Sequence, residues 1–222
     1  MRWNLPNILT ILRLIAAPGV AIMFLYFARP WADWFALVLF VGAAVTDFFD
    51  GYLARLWKQE SNFGRMLDPI ADKAMVVIAL LVITGVSGLD PWVLLPATLI
   101  LFREVFVSGL REFLGNNAGK LQVTKLAKWK TTAQMIAIAV LFAQGIFEHY
   151  FFMRSYGMDE QIIAGIFAGE IEDIHKLNYL WFMAQGAWIG GLALLWLAAI
   201  LTLVTGLDYF VKALPYLKEP TE

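Results

Sequence analysis

A chain of 222 residues that is 60% hydrophobic and 15% aromatic, with a mean hydropathy of +0.68, has apolar stretches far beyond what a soluble core of that length requires. Its formal net charge of −1 singles out no class of partner, and no nucleic-acid partner is expected. The absence of cysteine excludes disulfides, thiolate metal sites and cysteine nucleophiles, which leaves oxygen ligands as the coordination chemistry. The expected class is all-α, a polytopic membrane protein.

Six membrane spans are predicted. The first runs over about Ile8–Ala28; Arg13 interrupts its apolar run and no small-residue cleavage site follows, so it reads as a retained span rather than a signal peptide. Arg29-Pro30 separates it from a second span at Trp31–Leu56. The third is expected at Met66–Ser87, and Gly85 to Pro91 breaks it from the fourth, Pro91–Leu114, which ends before Gly115-Asn-Asn-Ala-Gly119. A fifth span at Thr131–Phe147 leads into Glu148 to Lys176, rich in acidic residues with an apolar patch from Ile162 to Ala168. That stretch is expected to be an extramembrane insertion, at about 148–178, with a short interfacial helix. The sixth span falls at Tyr179–Val204, and the whole chain reads as a single transmembrane domain without internal repeats. With a cytoplasmic N-terminus, only Arg29, Arg154 and Lys176 of the 17 basic residues lie on the far side, a strong positive-inside bias.

That orientation brings four aspartates to the cytoplasmic membrane boundary. Asp47, Asp50, Gly51, Ala54 and Arg55 fall at i, i+3, i+4, i+7 and i+8, so they share one helix face; Gly64, Asp68 and Asp72, at i, i+4 and i+8, share another. A lone carboxylate at a helix end is usually a cap or a solvated terminus, which suffices for Asp33, Asp90 and Asp208. Four at helical spacing need more, because an ionised carboxylate at mid-span costs about 2.5 to 3.5 kcal/mol. A compensating cation or a water-filled cavity is implied. Oxygen-only ligands favour Mg²⁺ or Mn²⁺, and four carboxylates suit two ions about 3.5 to 4 Å apart, the arrangement that clamps both oxygens of a phosphoryl transfer. Gly51, Ala54 and Gly64 read either as gaps for a nucleotide or as close helix packing. His149 and His175 belong to the opposite side, which removes a histidine base from consideration.

The pattern D-x2-D-G-x2-A-R-x8-G-x3-D-x3-D is met at every fixed position from Asp47 to Asp72 and resembles the signature of the CDP-alcohol phosphotransferases. The resemblance implies a six-helix membrane enzyme that moves a phosphatidyl or similar group from a CDP-linked donor to an alcohol and releases CMP. It implies that Asp47, Asp50 and Asp68 hold metal ions, that Asp72 completes the second site and acts as general base, and that Gly51, Arg55, Ser61 and Gly64 line the donor's nucleotide and pyrophosphate. Ligand and base both remain open for Asp72.

Three further stretches, Asn4 to Arg13, Arg103 to Phe113 and Leu126 to Met135, are similar to bacterial phosphatidylglycerophosphate synthases, which join CDP-diacylglycerol and glycerol 3-phosphate. That similarity assigns Arg103, Arg111 and Lys128 to the acceptor phosphate. Arg103 has independent support: it lies about twelve residues, or about 18 Å, into its span, too deep for an interfacial anchor. The alternative for Arg103 is an ion pair with Glu104 or another carboxylate; for Arg111 and Lys128 it is anchoring or contact with anionic lipid, the reading preferred for Lys120, Lys125 and Lys130. A cardiolipin synthase of the same family, with phosphatidylglycerol as acceptor, is the alternative enzyme, and a cation transporter the alternative class. Transport gives no reason for the Gly51, Ala54, Arg55 and Gly64 pattern, and apart from Asp33, read above as a helix-end residue, no acidic residues continue the path through the outer halves of the second and third spans. Family resemblance suggests a homodimer, with Gly186, Gly190 and Gly191 available for helix packing, in the inner membrane of a bacterium.

Overall fold

Helix ends are set by local chemistry that hydropathy does not register. The structure, a computed structural model, describes residues 5–56, 61–115, 119 and 125–217, and among them are seven helices and no strand. These are α1 (Leu5–Tyr26), α2 (Trp31–Leu56), α3 (Asn62–Val86), α4 (Pro91–Leu114), α5 (Lys125–Ser155), α6 (Glu160–Ala168) and α7 (Leu177–Leu217). Asp90 caps α4 by accepting a hydrogen bond from the Trp92 amide at 2.7 Å, with Pro91 at the first helical position. Asp173 accepts from the Leu177 and Asn178 amides at 2.7 and 2.9 Å and starts α7. Gly169, with φ at 76°, closes α6 in the left-handed conformation.

Two helices outrun their expected spans. α5 begins at Lys125 and continues through Glu148 to Ser155, so the first part of the expected extramembrane segment is helical; α7 continues past Val204 to Leu217. Charged residues end the apolar stretch but not the ladder of backbone hydrogen bonds, which the Lys, Glu, Leu and Ala residues at these ends support. α6 is the short helix expected over the apolar patch from Ile162 to Ala168. Five helices, α1, α3, α4, α5 and α7, are long and apolar enough to cross a membrane. α2 is not among the five; the side chains of its last residues, 48–56, lie outside the described set. Large apolar side chains such as Leu12, Ile15, Val38, Leu81, Phe102, Val105 and Ile200 point outward, as a lipid-facing surface requires.

By packing, the chain forms two compact units, residues 1–83 with 138–191 and residues 84–137 with 192–222. In the first, α1 packs on α2. Its interior is laid with fully buried Ala17, Ala32, Ala36, Ala71 and Ala79, which let helix backbones approach, and is filled by Phe40, Met75 and Phe142. The Phe142 ring lies 6.2 Å from Phe24 and 6.1 Å from Phe40, centre to centre. Asp33 is not a solvated terminus: it is buried, and Arg29 Nε and Nη2 donate to its two oxygens at 3.0 and 2.8 Å. That pair sits against Gly145, where no side chain would fit. In the second unit α4 and the C-terminal part of α7 run side by side in the same direction. Trp92 meets Trp196, Arg103 crosses Gly206, and Phe106 meets Phe210. Asp208 forms an i,i+4 pair with Lys212 at 2.6 Å.

Candidate active site

Three polar residues of α1, at steps of three, share a face with the core residues Ala17 and Val20. Asn7, Thr10 and Arg13 are only 3%, 2% and 3% exposed, so each must be satisfied inside the protein. Each reaches the motif. Arg13 Nη1 donates to Asp47 Oδ1 of α2 at 2.6 Å and to Asp72 Oδ1 of α3 at 2.9 Å. Thr10 Oγ1 donates to Asp68 Oδ1 at 2.7 Å. Asn7 Oδ1 accepts from Ser61 Oγ at 2.8 Å, and Ser61 Oγ in turn accepts from the Gly64 amide at 3.0 Å.

Ser61 is thus the N-cap of α3, tied to α1 through Asn7. Gly64 is buried beneath them, where a Cβ would come within 2.9 Å of Asn7 Oδ1, so close packing by itself accounts for a glycine there. Asp47 and Asp72 share one guanidinium nitrogen. Carboxylates about 4 Å apart repel by about 4 kcal/mol at an effective dielectric of 20, more than one hydrogen bond supplies, so the positive charge is what makes this pairing possible. Arg13 approaches from the protein side, its side chain 2% exposed, while the Asp47 and Asp72 side chains are 48% and 51% exposed. Each carboxylate therefore keeps an open half with which it could hold a cation.

Among the described residues no three acidic or imidazole side chains form a group that could by itself hold a metal ion. The fourth motif aspartate, Asp50, belongs to α2 together with Gly51, Ala54 and Arg55, but the side chains of these four lie outside the described set.

In the second unit Glu104 is shared by two cations. Arg103 Nη1 donates to its Oε1 at 3.2 Å, and Lys130 Nζ donates to the same oxygen. All three side chains are at most 15% exposed. The ion pair weighed for Arg103 therefore forms, yet Arg103 Nε remains buried without a hydrogen-bond partner among the described residues. Lys130 is 6% exposed and is no surface anchor, unlike the neighbouring Lys128, which is exposed. Arg111, also exposed, lies over the Tyr209 ring at 5.3 Å, a cation–π contact.

Sequence reasoning missed Asn7, Thr10, Arg13 and Lys130. The first three carried a signal, since polar residues at i, i+3 and i+6 in an apolar helix define a face. Lys130 carried none, because its spacing says nothing of a glutamate on another helix.

The model of the CDP-alcohol phosphatidyltransferases matches residues 3–168, which takes in the α1 face, all four aspartates and the Arg103–Lys130 group. The chain belongs to the CDP-alcohol phosphatidyltransferase family. Within this family it is 67% identical over 220 residues, 99% of each chain, to the CDP-diacylglycerol--glycerol-3-phosphate 3-phosphatidyltransferase of Cereibacter sphaeroides. It is 39% identical to the protein of the same name from Rickettsia bellii, over 96% of this chain and 97% of that one. The Escherichia coli K12 protein of that name is 42% identical over 143 residues, 64% of this chain and 78% of the other. As a CDP-alcohol phosphatidyltransferase the chain carries the complete aspartate pattern inside the matched region.

Proposed function

We propose that this chain transfers the phosphatidyl group of CDP-diacylglycerol to glycerol 3-phosphate, giving phosphatidylglycerol phosphate and CMP. The observation that carries the reading is end-to-end likeness, over 99% of both chains, to a relative named for that activity. In the reaction a hydroxyl oxygen of glycerol 3-phosphate attacks the phosphorus that bears the diacylglycerol. The bond from that phosphorus to the oxygen of CMP breaks, the electron pair leaves with CMP, and the hydroxyl proton passes to a base.

Asp72 is the base in this reading, and Asp47, Asp50, Asp68 and Asp72 hold two divalent ions, Mg²⁺ or Mn²⁺. The donor set suits them: it is all carboxylate, and Asp47 and Asp72 converge on one nitrogen with their outer halves open. Bound there, such ions would neutralise charge developing on the pyrophosphate. Gly51, Ala54 and Arg55 line the donor, Arg55 adding a fixed positive charge at the departing CMP, while Gly64, buried against Asn7, supports the turn that presents Ser61. Ser61 joins them through the lone pair its capping bonds leave over.

Arg103, Arg111 and Lys128 receive the acceptor phosphate. The buried Arg103 Nε, which lacks a partner among the described residues, supports an anionic ligand for that side chain. α2 completes six spans, with the N-terminus and the aspartates on the cytoplasmic side of a bacterial inner membrane, and the enzyme works as a homodimer.

The test is CMP release by the purified protein with CDP-diacylglycerol and Mg²⁺, comparing glycerol 3-phosphate with glycerol, inositol phosphate and phosphatidylglycerol. Release that requires glycerol 3-phosphate is expected. Release only with phosphatidylglycerol would make the chain a cardiolipin synthase, and none with any acceptor would reopen a transport role for the aspartates.

A further inference from the structure

We infer that Arg13 is a positioning residue: a buried guanidinium on α1 that clasps Asp47 of α2 and Asp72 of α3 from behind and fixes the separation of their outward oxygens. This rests on the reading of those aspartates as metal ligands. The geometry has three parts. One nitrogen, Nη1, serves both carboxylates, at 2.6 and 2.9 Å, so neither aspartate can move away without losing its bond to Nη1 or drawing that nitrogen from the other. The two partners lie 34 and 59 residues away in sequence, on different helices, so the contact sets the spacing of α2 and α3 at the site and not merely a rotamer. The cation is 2% exposed while the carboxylates are half exposed, so Arg13 occupies the inner side and leaves the outer side to a ligand.

A residue placed this way differs from a substrate contact and from a simple counter-charge. It is too buried to touch a phosphate in the open half of the site. As a counter-charge alone it would weaken a neighbouring cation site, because like charges repel, and its removal would tighten cation binding. As a clasp it does the reverse: without it Asp47 and Asp72 repel one another and separate, and cation binding weakens although the site has become more negative. The two roles predict opposite signs.

The experiment is Mn²⁺ binding to the full-length, metal-stripped protein in detergent, read from the free-Mn²⁺ electron paramagnetic resonance signal, without substrate. Arg13→Gln should raise the Mn²⁺ dissociation constant tenfold or more. Arg13→Lys, which keeps one charged nitrogen with several donors, should stay within about threefold of the native value if a single bridging nitrogen is what matters. Unchanged or tighter binding in a folded Arg13→Gln protein would overturn the inference and leave the metal reading intact. Should Arg13→Gln fail to fold, Arg13→Lys decides, and loss of Mn²⁺ binding in that folded variant overturns the single-nitrogen clasp. A native protein that binds no Mn²⁺ brings down the metal reading and the Arg13 role with it.

Discussion

Asp68 offers the cleanest single-residue test of the proposed chemistry, because its fold contact and its ligand charge can be separated. Thr10 donates to Asp68 Oδ1, and an asparagine can still accept that bond through its amide oxygen. Asp68→Asn is therefore expected to leave the thermal midpoint within a few degrees of native while reducing CMP release by at least a hundredfold. Native turnover in the folded variant would remove Asp68 from the metal site. Arg103 is more entangled, since it also pairs with Glu104 and crosses Gly206, where a Cβ would sit 2.9 Å from its Cγ. A hydrogen bond to a charged group contributes about 1.5 to 3 kcal/mol, so Arg103→Ala should raise KM for glycerol 3-phosphate by roughly 10- to 100-fold and leave KM for CDP-diacylglycerol nearly unchanged. Equal increases in both would mark Arg103 as structural.

At the scale of elements, the start of α3 shows what a sequence can and cannot reveal. The helices that carry the aspartates were legible, because helical spacing puts Asp47 to Arg55 on one helix and Gly64 to Asp72 on another, as α2 and α3 have them. The short helix α6 was legible from an apolar patch among acidic residues. Helix ends were not, because hydropathy reports where the apolar span stops, and α5 and α7 continue beyond it. The α1 face was missed for another reason: Arg13, Thr10 and Asn7 bond to residues 34 to 59 positions away, and only the tertiary packing identifies those partners. Ser61 illustrates the consequence, since it was assigned to the donor by resemblance and is the α3 cap in the structure. Loss of a cap costs about 1 kcal/mol, so Ser61→Ala should lower the thermal midpoint by a few degrees. If Ser61 also touches the donor, KM for CDP-diacylglycerol rises as well; a stability loss alone would leave it a cap.

For the whole molecule the open quantity is orientation, and the composition makes it accessible. With no native cysteine, a single introduced thiol reports its side of the membrane without background. With the proposed six spans, Ser155, the last residue of α5, falls on the side that carries only three of the 17 basic residues, while Asn117, which follows α4 in the sequence, falls on the basic side. In intact cells a membrane-impermeant maleimide should label Ser155→Cys directly and Asn117→Cys only after permeabilisation. The reverse pattern would place the aspartates outside, away from cytoplasmic CDP-linked donors. Labelling of both positions from one side would mean that α5 does not cross the bilayer. Basic residues are retained on the cytoplasmic side during insertion, and α5 has an apolar stretch long enough to span between Lys130 and Glu148, so the first pattern is the expected one.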